Sequence, residues 1–170
     1  MTAEIATASA TPTPKSTMII DCAAYVHGKR QAPMEIEAIS DFLAAPQPPG
    51  AFVWVALFEP TAEILAKMQE EFNLHELAIE DTNRGSQRPN IEEYGTTLFV
   101  VLHTIEQHGD EFIDGELHIY CNEHFLLTVR HRAEIGFKSV RAELEREPEF
   151  LALGPGAVLH GLIDTVVDRL

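Results

Sequence analysis

The stretch PTAEILAKMQEEFNLHELAIEDTNRGSQRPNIEEYGTTLFVVLHTI, residues 60–105, contains the patterns from which the fold is predicted. After Pro60, apolar residues at 64, 65, 68 and 72 follow a helical period, which predicts a helix of about three turns. Leu74, Leu77 and Ala78 mark a second, shorter helix, and the breaker-rich residues 82–89 end it. The apolar run over 97–105 is typical of a strand that is covered on both faces.

Strand and helix patterns continue on both sides of this stretch. Further strands are predicted at 18–26, 34–36, 52–58, 116–120 and 125–129, with 34–36 as the hairpin partner of the first and a turn at 108–110. Short helices are predicted at 38–45 and at 134–147, the latter with Ile135, Val140 and Leu144 pointing inward. Strands mixed with helices, and apolar on both faces, predict an α/β sandwich.

The final segment, GAVLHGLIDTVVDRL at 156–170, repeats apolar residues with a strong helical period. No Gly, Asn or Pro follows its last apolar residues to stop it. We therefore expect a helix that continues in a longer parent protein.

Composition favours one globular domain at 17–170 after a loose Thr-, Ala- and Pro-rich tail at 1–16. The formal net charge of −15 over 170 residues argues against binding to nucleic acid or to anionic lipid and favours cations as partners. Two cysteines are too few for a disulfide framework, which favours a reducing compartment. No apolar run approaches the ~20 residues that span a bilayer.

Glu80 and Asp81 are adjacent acids at the end of the short second helix, where the negative end of the helix dipole disfavours them by ~0.3 to 1 kcal/mol each. In one interpretation Arg84 or Arg88 pairs with them at the surface. In the other, a divalent cation relieves them together with Asp164 and Asp168, which lie four residues apart on one helix face and repel each other. Oxygen ligands select Mg²⁺ or Ca²⁺, and Mg²⁺ keeps most of its waters and binds weakly. The last two acids are equally typical of a solvated helix face.

Two other chemistries are compatible with residues of this sequence. His118, Cys121 and His124 are residue types that bind zinc, but the predicted strands separate the two histidines and no fourth ligand is evident. Structural roles are the favoured interpretation of these three. Paired carboxylates can also act as acid and base in a small hydrolase. The sequence lacks a glycine-rich phosphate loop, a G-x-S-x-G elbow and a Cys/His nucleophile pattern, so an enzyme is the less favoured class.

The stretch at 60–105 resembles the cytoplasmic domain of the CorA family of magnesium and cobalt transporters, and LIDTVVD at 162–168 resembles the family's helix that continues into a long stalk. The residues that carry the resemblance are Trp54, Pro60, Thr61, His75, Leu77, Glu80, Asp81, Gln87, Arg88, Pro89, Glu92, Tyr94 and Phe99. The resemblance covers about residues 18–170. The chain departs from the family at Ala56, where relatives often have a polar residue, and it lacks the Gly-Met-Asn signature of the pore.

The resemblance implies an α/β/α sandwich around a mixed, largely antiparallel sheet, in a fragment truncated at the start of the stalk helix. It implies a cytoplasmic regulatory domain at the inner membrane, a homopentamer in the parent protein, and membrane contact only through missing C-terminal segments. As an isolated fragment the domain is expected to be soluble and is compatible with a monomer. Mg²⁺, with Co²⁺ as an alternative, would bind weakly between subunits and gate the pore.

The same resemblance implies roles for the acidic residues. Asp81 matches an acid that faces a neighbour's stalk helix, Glu80 and Asp164 match a second acidic cluster, and Asp168 is a further metal candidate. The related ZntB zinc transporters share the architecture, so the transported ion stays open. Five domains of charge −15 repel one another in a ring, and divalent ions between them would offset that repulsion.

Overall fold

A seven-stranded sheet lies at the centre of the computed structural model, which describes residues 18–170. The predicted tail at 1–16 lies outside the described residues. The strands are β1 (Ile19–Val26), β2 (Lys29–Arg30), β3 (Phe52–Phe58), β4 (Asn90–Tyr94), β5 (Thr97–His108), β6 (Glu111–Cys121) and β7 (Phe125–His131). Their order is β2-β1-β3-β7-β6-β5-β4.

The sheet is mixed, because β3 and β7 run parallel, with Val53 opposite Phe125, whereas the other neighbouring strands are antiparallel. Parallel strands need a long crossover, and the segment between β3 and β7 supplies it with two helices and three strands. This arrangement confirms the expected α/β class and the mixed, largely antiparallel sheet.

Helices cover both faces of the sheet. They are α1 (Ile39–Ala44), α2 (Ala62–Phe72), α3 (Glu76–Arg84), α4 (Lys138–Glu145), α5 (Pro148–Leu151) and α6 (Pro155–Asp168), with a 3₁₀ turn at Ile36–Ala38. The first three pack against one face, in a core with Met68, Phe99 and Leu127. The last three pack against the other face, in a core with Trp54 and Ile119. The result is the expected α/β/α sandwich.

Local sequence explains the elements nearest the acidic pair. Thr61 caps α2, since its Oγ1 accepts a hydrogen bond from the Ile64 amide at 3.3 Å. Asn73 ends α2 in the left-handed conformation, with a φ of 52°, and turns the chain into α3. The side chain of His75 then caps α3 by accepting from the Leu77 amide at 3.2 Å.

The strand prediction for 34–36 is wrong, because the hairpin closes earlier. His27 and Gly28 both have positive φ, at 53° and 72°, and this tight turn pairs Val26 directly with Lys29. Gly28 also lies against helix α5, where a Cβ atom would stand 1.8 Å from the Pro148 carbonyl oxygen. The partner of β1 is therefore the two-residue strand β2.

The helix predicted at 134–147 is shorter, and Ile135 does not point inward. The amides of Glu134 and Ile135 donate to the carboxylate of Glu106 at 3.0 and 2.8 Å, which holds this segment outside the helix. Helix α4 therefore begins at Lys138, and Ile135 is 50% exposed. The inward positions of Val140 and Leu144 are confirmed.

Candidate functional site

Helix α3 carries the acidic pair one turn before its end. Arg84 Nη2 lies 2.5 Å from Glu80 Oε1, and Arg84 Nη1 lies 3.9 Å from Asp81 Oδ1. The side chains of Glu80 and Asp81 remain 55% and 28% exposed. The predicted arginine pairing is thus confirmed for Arg84. Because surface pairs of this kind contribute about 0 to 1 kcal/mol, the carboxylates stay accessible to a cation.

Asp164 and Asp168 lie on the exposed side of α6, while Leu162 and Val166 on the same helix are buried. This agrees with a solvated helix face. Their like charges stand one turn apart with no cationic partner in the described part of the chain. The donor set is oxygen only, which fits a hydrated hard cation.

The two acidic pairs lie in different layers of the sandwich. Helix α3 packs on one face of the sheet and α6 on the other. Among residues 18–170, no three His, Cys, Asp or Glu side chains are grouped so that they could hold a metal ion. An ion that contacts both pairs therefore requires two copies of the chain, and the assignment of Glu80, Asp81, Asp164 and Asp168 as metal ligands stays a prediction.

A buried polar network beneath α3 was missed by the sequence analysis. Thr82, on the inner side of α3, lies 2.6 Å through its Oγ1 from the hydroxyl of Tyr120 and 3.1 Å from Nδ1 of His118. Tyr120 also donates to the Ala78 carbonyl at 2.8 Å. All three side chains are at most 1% exposed. These bonds attach the acidic helix to strand β6.

Glu116 anchors the network at the sheet. Its carboxylate accepts from His118 Nε2 at 2.7 Å, from Arg132 Nη2 at 2.7 Å and from the Gln87 amide at 3.3 Å. Burial alone raises the pKa of Glu116, but these three hydrogen bonds outweigh it and lower the pKa to about 2. A charged Glu116 is thus bound on several sides by protein donors and is not free to bind a metal.

His118 is neutral in this setting. Burial lowers its pKa, against the opposing effect of Glu116. A neutral ring that donates from Nε2 to Glu116 must accept at Nδ1, and the Thr82 hydroxyl is the available donor. The single hydroxyl proton of Tyr120 is then shared between two acceptors, Thr82 Oγ1 and the Ala78 carbonyl oxygen. The one sequence signal for this network is the spacing of Glu116, His118 and Tyr120, which places three polar side chains on one face of a strand.

The structure separates the three residues weighed as zinc ligands. His118 faces the α3 side of the sheet, whereas Cys121 packs in the core on the α4 and α6 side. His124 lies in the turn before β7, where its amide donates to Asn122 Oδ1 at 2.8 Å. The structural interpretation of this trio agrees with that geometry.

The described part of the chain contains no helix with the length and apolar content that crossing a membrane requires. A family model described as "CorA-like Mg2+ transporter protein" matches residues 49–170. The putative metal ion transporter YfjQ of Bacillus subtilis (strain 168) is 32% identical over 123 residues, which are 72% of this chain and 38% of YfjQ. The chain thus spans well under half the length of this relative.

Solved structures share the fold. The full-length CmaX protein matches with a TM-score of 0.68 at 16% identity, over 90% of this chain and 46% of CmaX. The soluble domain of CorA from Methanocaldococcus jannaschii gives 0.58 at 16% identity, over 89% of this chain and 58% of that one. The ZntB cytoplasmic domain from Vibrio parahaemolyticus RIMD 2210633 gives 0.58 at 11% identity, over 89% and 59%.

These matches decide between the classes weighed from the sequence. The matched family is one of transporters, which favours a non-enzyme over the hydrolase alternative. The family model covers most of the chain, and the sheet with its two helical layers agrees with the solved domains. This protein chain belongs to the CorA-like Mg²⁺ transporter family.

Proposed function

We propose that the chain is the cytoplasmic regulatory domain of a divalent metal ion transporter, and that it senses Mg²⁺ through carboxylates at the contacts between copies. One observation carries the proposal. The two exposed acidic pairs, Glu80 with Asp81 and Asp164 with Asp168, lie on opposite helical layers of one sandwich. Within a single copy the two acidic pairs do not meet. In a ring, the α3 layer of one copy can face the α6 layer of its neighbour, which would bring the two pairs together.

The charge balance gives such an ion its regulatory effect. Copies with a net charge of −15 repel each other, and the acidic pairs concentrate part of that charge on exposed helix surfaces. A hydrated Mg²⁺ between two copies offsets the repulsion only while they are in contact. Since a ligand shifts an equilibrium only through its differential affinity for the two states, such an ion favours the assembled, closed ring. We infer a pentamer in the membrane and weak, reversible ion binding.

Sedimentation velocity of the chain with rising Mg²⁺ tests the proposal. We expect millimolar Mg²⁺ to raise the weight-average sedimentation coefficient and EDTA to reverse the change. Asp81→Asn and Asp164→Asn should each require roughly tenfold more Mg²⁺ for the same effect. Asp110→Asn is the matched control, because Asp110 is an exposed acid in the β5–β6 turn, away from both pairs.

Two results would overturn the proposal. Sedimentation that is the same with and without Mg²⁺ contradicts ion-dependent contact between copies, and equal responses of all three variants contradict the assigned carboxylates. Repeating the titration with Co²⁺ and Zn²⁺ at matched ionic strength ranks the ions. A response to Zn²⁺ without one to Mg²⁺ would replace the magnesium assignment with a ZntB-like one.

A further inference from the structure

A cavity of about 670 Å³ lies on the α4 side of the sheet, opposite the acidic pair of α3. Its floor is formed by β1, β3 and β7, and its rim by the start of α4 and the end of α6. Ile20, Leu57 and Leu117 give part of the lining an apolar character, and the small side chain of Ala56 leaves the floor open. A cavity of this size accommodates a small organic molecule.

Cations outnumber acids in the lining of this cavity, in a protein that has only 12 Lys and Arg against 27 Asp and Glu. The four cationic residues are Arg130, Lys138, Arg141 and Arg169, and the three acidic ones are Asp21, Glu134 and Glu145. Within the described residues, three of the cations, Arg130, Lys138 and Arg169, have no carboxylate within 4.0 Å. Arg130 is nevertheless only 8% exposed, and its Nη1 donates to the neutral Ala133 carbonyl at 2.6 Å, so its charge is desolvated with no carboxylate in contact. Burial lowers the pKa of Arg130 and the charge of Arg169 lowers it further, while the more distant Glu106 and Glu59 act in the opposite direction.

The fourth cation, Arg141, is incompletely paired. It is 9% exposed, and its Nε lies 3.1 Å from Asp21 Oδ2. Asp21 already receives two hydrogen bonds from Arg30, at 2.6 and 2.8 Å, so Arg141 shares a carboxylate that another guanidinium engages through both oxygens. Arg141 Nη1 donates to Tyr25 at 2.8 Å, while its Nη2 has no hydrogen-bond partner among residues 18–170.

A second buried donor at the cavity is also unpaired. Trp54 is 2% exposed, and its Nε1 has no hydrogen-bond partner in the part of the chain that the structure describes. The guanidinium of Arg141 stacks 3.7 Å above its ring. Unpaired buried donors cost about 1–3 kcal/mol each, so two of them side by side call for an explanation such as a bound acceptor. Both side chains line the same cavity.

Helix α4 presents its first turn to the cavity as well. Phe137, Lys138 and Ser139 line the cavity, no side chain caps the helix, and its first turn contains no acidic residue. The free amides and the positive end of the helix dipole attract anions. This feature adds to the buried guanidinium groups and the two unpaired donors, which point to the same kind of ligand.

We propose that the cavity binds a small organic anion, in which a carboxylate or phosphate group meets Arg141, Trp54 and the start of α4 while an apolar body packs against Leu57 and Leu117. Bound there, the oxyanion compensates the guanidinium groups. The two unpaired donor atoms have almost no exposed surface, so the oxyanion reaches them through a small shift of the surrounding side chains. The cavity lies on the opposite side of the sheet from Glu80 and Asp81 and on the same side as α6, whose Asp168 precedes the cavity-lining Arg169. None of the four carboxylates proposed to bind the divalent ion lines the cavity, so the two sites share no ligand.

Trp54 gives the test a local probe, because it is the only Trp in the chain and therefore yields a single indole N–H resonance. Phenyl phosphate and benzoate are titrated separately into the ¹⁵N-labelled chain in low-salt buffer, with phenol as the uncharged analogue. We expect a saturable shift of the indole resonance with at least one of the two anions, which also shows whether phosphate or carboxylate is preferred. Phenol should cause a much weaker shift.

Ser139→Glu is the blocking variant. Ser139 is exposed in the first turn of α4, where an added carboxylate suits the helix dipole, so the fold should be retained and the melting temperature unchanged or higher. The carboxylate should weaken binding of the anion by about tenfold or more. Ala62→Glu is the matched control, since it adds the same charge at the start of α2 on the opposite layer and should bind like the unchanged protein.

Three results would overturn this proposal. The first is the absence of a saturable indole shift with either anion, which would leave the unpaired donors to ordered water. The second is a phenol shift equal to that of the anions, which would show a purely apolar pocket. The third is equal weakening by Ser139→Glu and Ala62→Glu, which would show a general charge effect.

Discussion

The side chains of Glu116 and His118 form one functional unit inside the protein. Each is fully buried, and each satisfies a hydrogen-bonding group of the other while holding a second partner. Their protonation is therefore coupled to folding. Burial keeps His118 neutral, and hydrogen bonds from its neighbours keep Glu116 charged.

The first prediction is a loss of stability in mild acid. Because the pKa of His118 is lower in the folded protein than its ordinary value of 6.5, the His118 imidazole binds a proton more readily in the unfolded chain than in the folded one. The free energy of unfolding should fall as the pH drops below 6.5, with a slope that approaches about 1.4 kcal/mol per pH unit. Urea titrations at a series of pH values measure it. His118→Gln should flatten this slope, whereas His124→Gln, in an exposed turn, should retain it.

A further loss should follow at lower pH through Glu116. Its pKa is lowered from 4.5 to about 2, so its stabilising contribution is complete above pH 4.5 and disappears as the pH falls towards 2.

The prediction for His118 has its own contradicting outcome. A free energy of unfolding that stays constant from pH 7 to pH 5 in the unchanged protein would contradict the buried, neutral state assigned to His118.

Among the elements, helix α3 is attached to the sheet by the Thr82 hydroxyl and by the hydrogen bond from Tyr120 to the Ala78 carbonyl. Thr82 is the only residue of α3 whose side chain hydrogen-bonds to strand β6, and it does so twice, through His118 and Tyr120. The outer side of the same helix carries Glu80 and Asp81. The position of the proposed ion site therefore depends on a buried bond beneath it.

Two matched substitutions test this attachment. Thr82→Val keeps the shape of the side chain but leaves His118 Nδ1 without a donor, so it should destabilise the protein by about 1–3 kcal/mol and speed amide exchange in α3. Thr104→Val removes a buried hydroxyl that has no hydrogen-bond partner, so it should be neutral or stabilising. Chemical denaturation and hydrogen exchange measure both. Equal losses in the two variants would contradict the role of Thr82.

The elements also show how far sequence alone reaches. Strand β3 matches its prediction at 52–58, because a strand covered on both faces is apolar at nearly every position. Edge strand β4 was not predicted, since in NIEEY the residues alternate between exposed and partly exposed and none is buried. Among the described strands, its only partner is β5. A strand with so little burial leaves a weak sequence signal.

The candidate site also contains features that the sequence predicted and features that it did not. The acidic residues and the pairing with Arg84 were predicted, because they depend on neighbours within one helix turn. The network of Thr82, Glu116 and His118 was not, because it joins a helix to a strand more than thirty residues away in sequence. The cavity around Trp54 and Arg141 is likewise lined by residues of β3, α4 and the end of α6, which are far apart in sequence, so no local sequence pattern predicts it.

For the whole molecule, the dominant property is its charge. A net charge of −15 on one sandwich opposes compact folding, and several acids are only partly compensated at the surface. We predict that the melting temperature rises by a few degrees as NaCl is increased from about 10 mM to about 150 mM, because the screening length falls from about 30 Å to about 8 Å. Differential scanning fluorimetry measures the change.

The control for this prediction is KCl at the same ionic strength, which should have the same effect because screening does not depend on the identity of the monovalent ion. Mg²⁺ at that ionic strength should stabilise beyond both salts if it also binds the carboxylates. A melting temperature that falls as NaCl is added would contradict net self-repulsion.

The parallel pairing of β3 with β7 has a consequence for synthesis on the ribosome. Strand β3 leaves the exit tunnel early, after its neighbour β1, but its neighbour on the other edge begins only at Phe125. Until then a nascent chain presents the open edge of an almost wholly apolar strand. Nascent chains on ribosomes that stall between Phe58 and Phe125 should therefore depend on chaperones. The open edge of β3 is covered only when β7 has been synthesised and has paired with it.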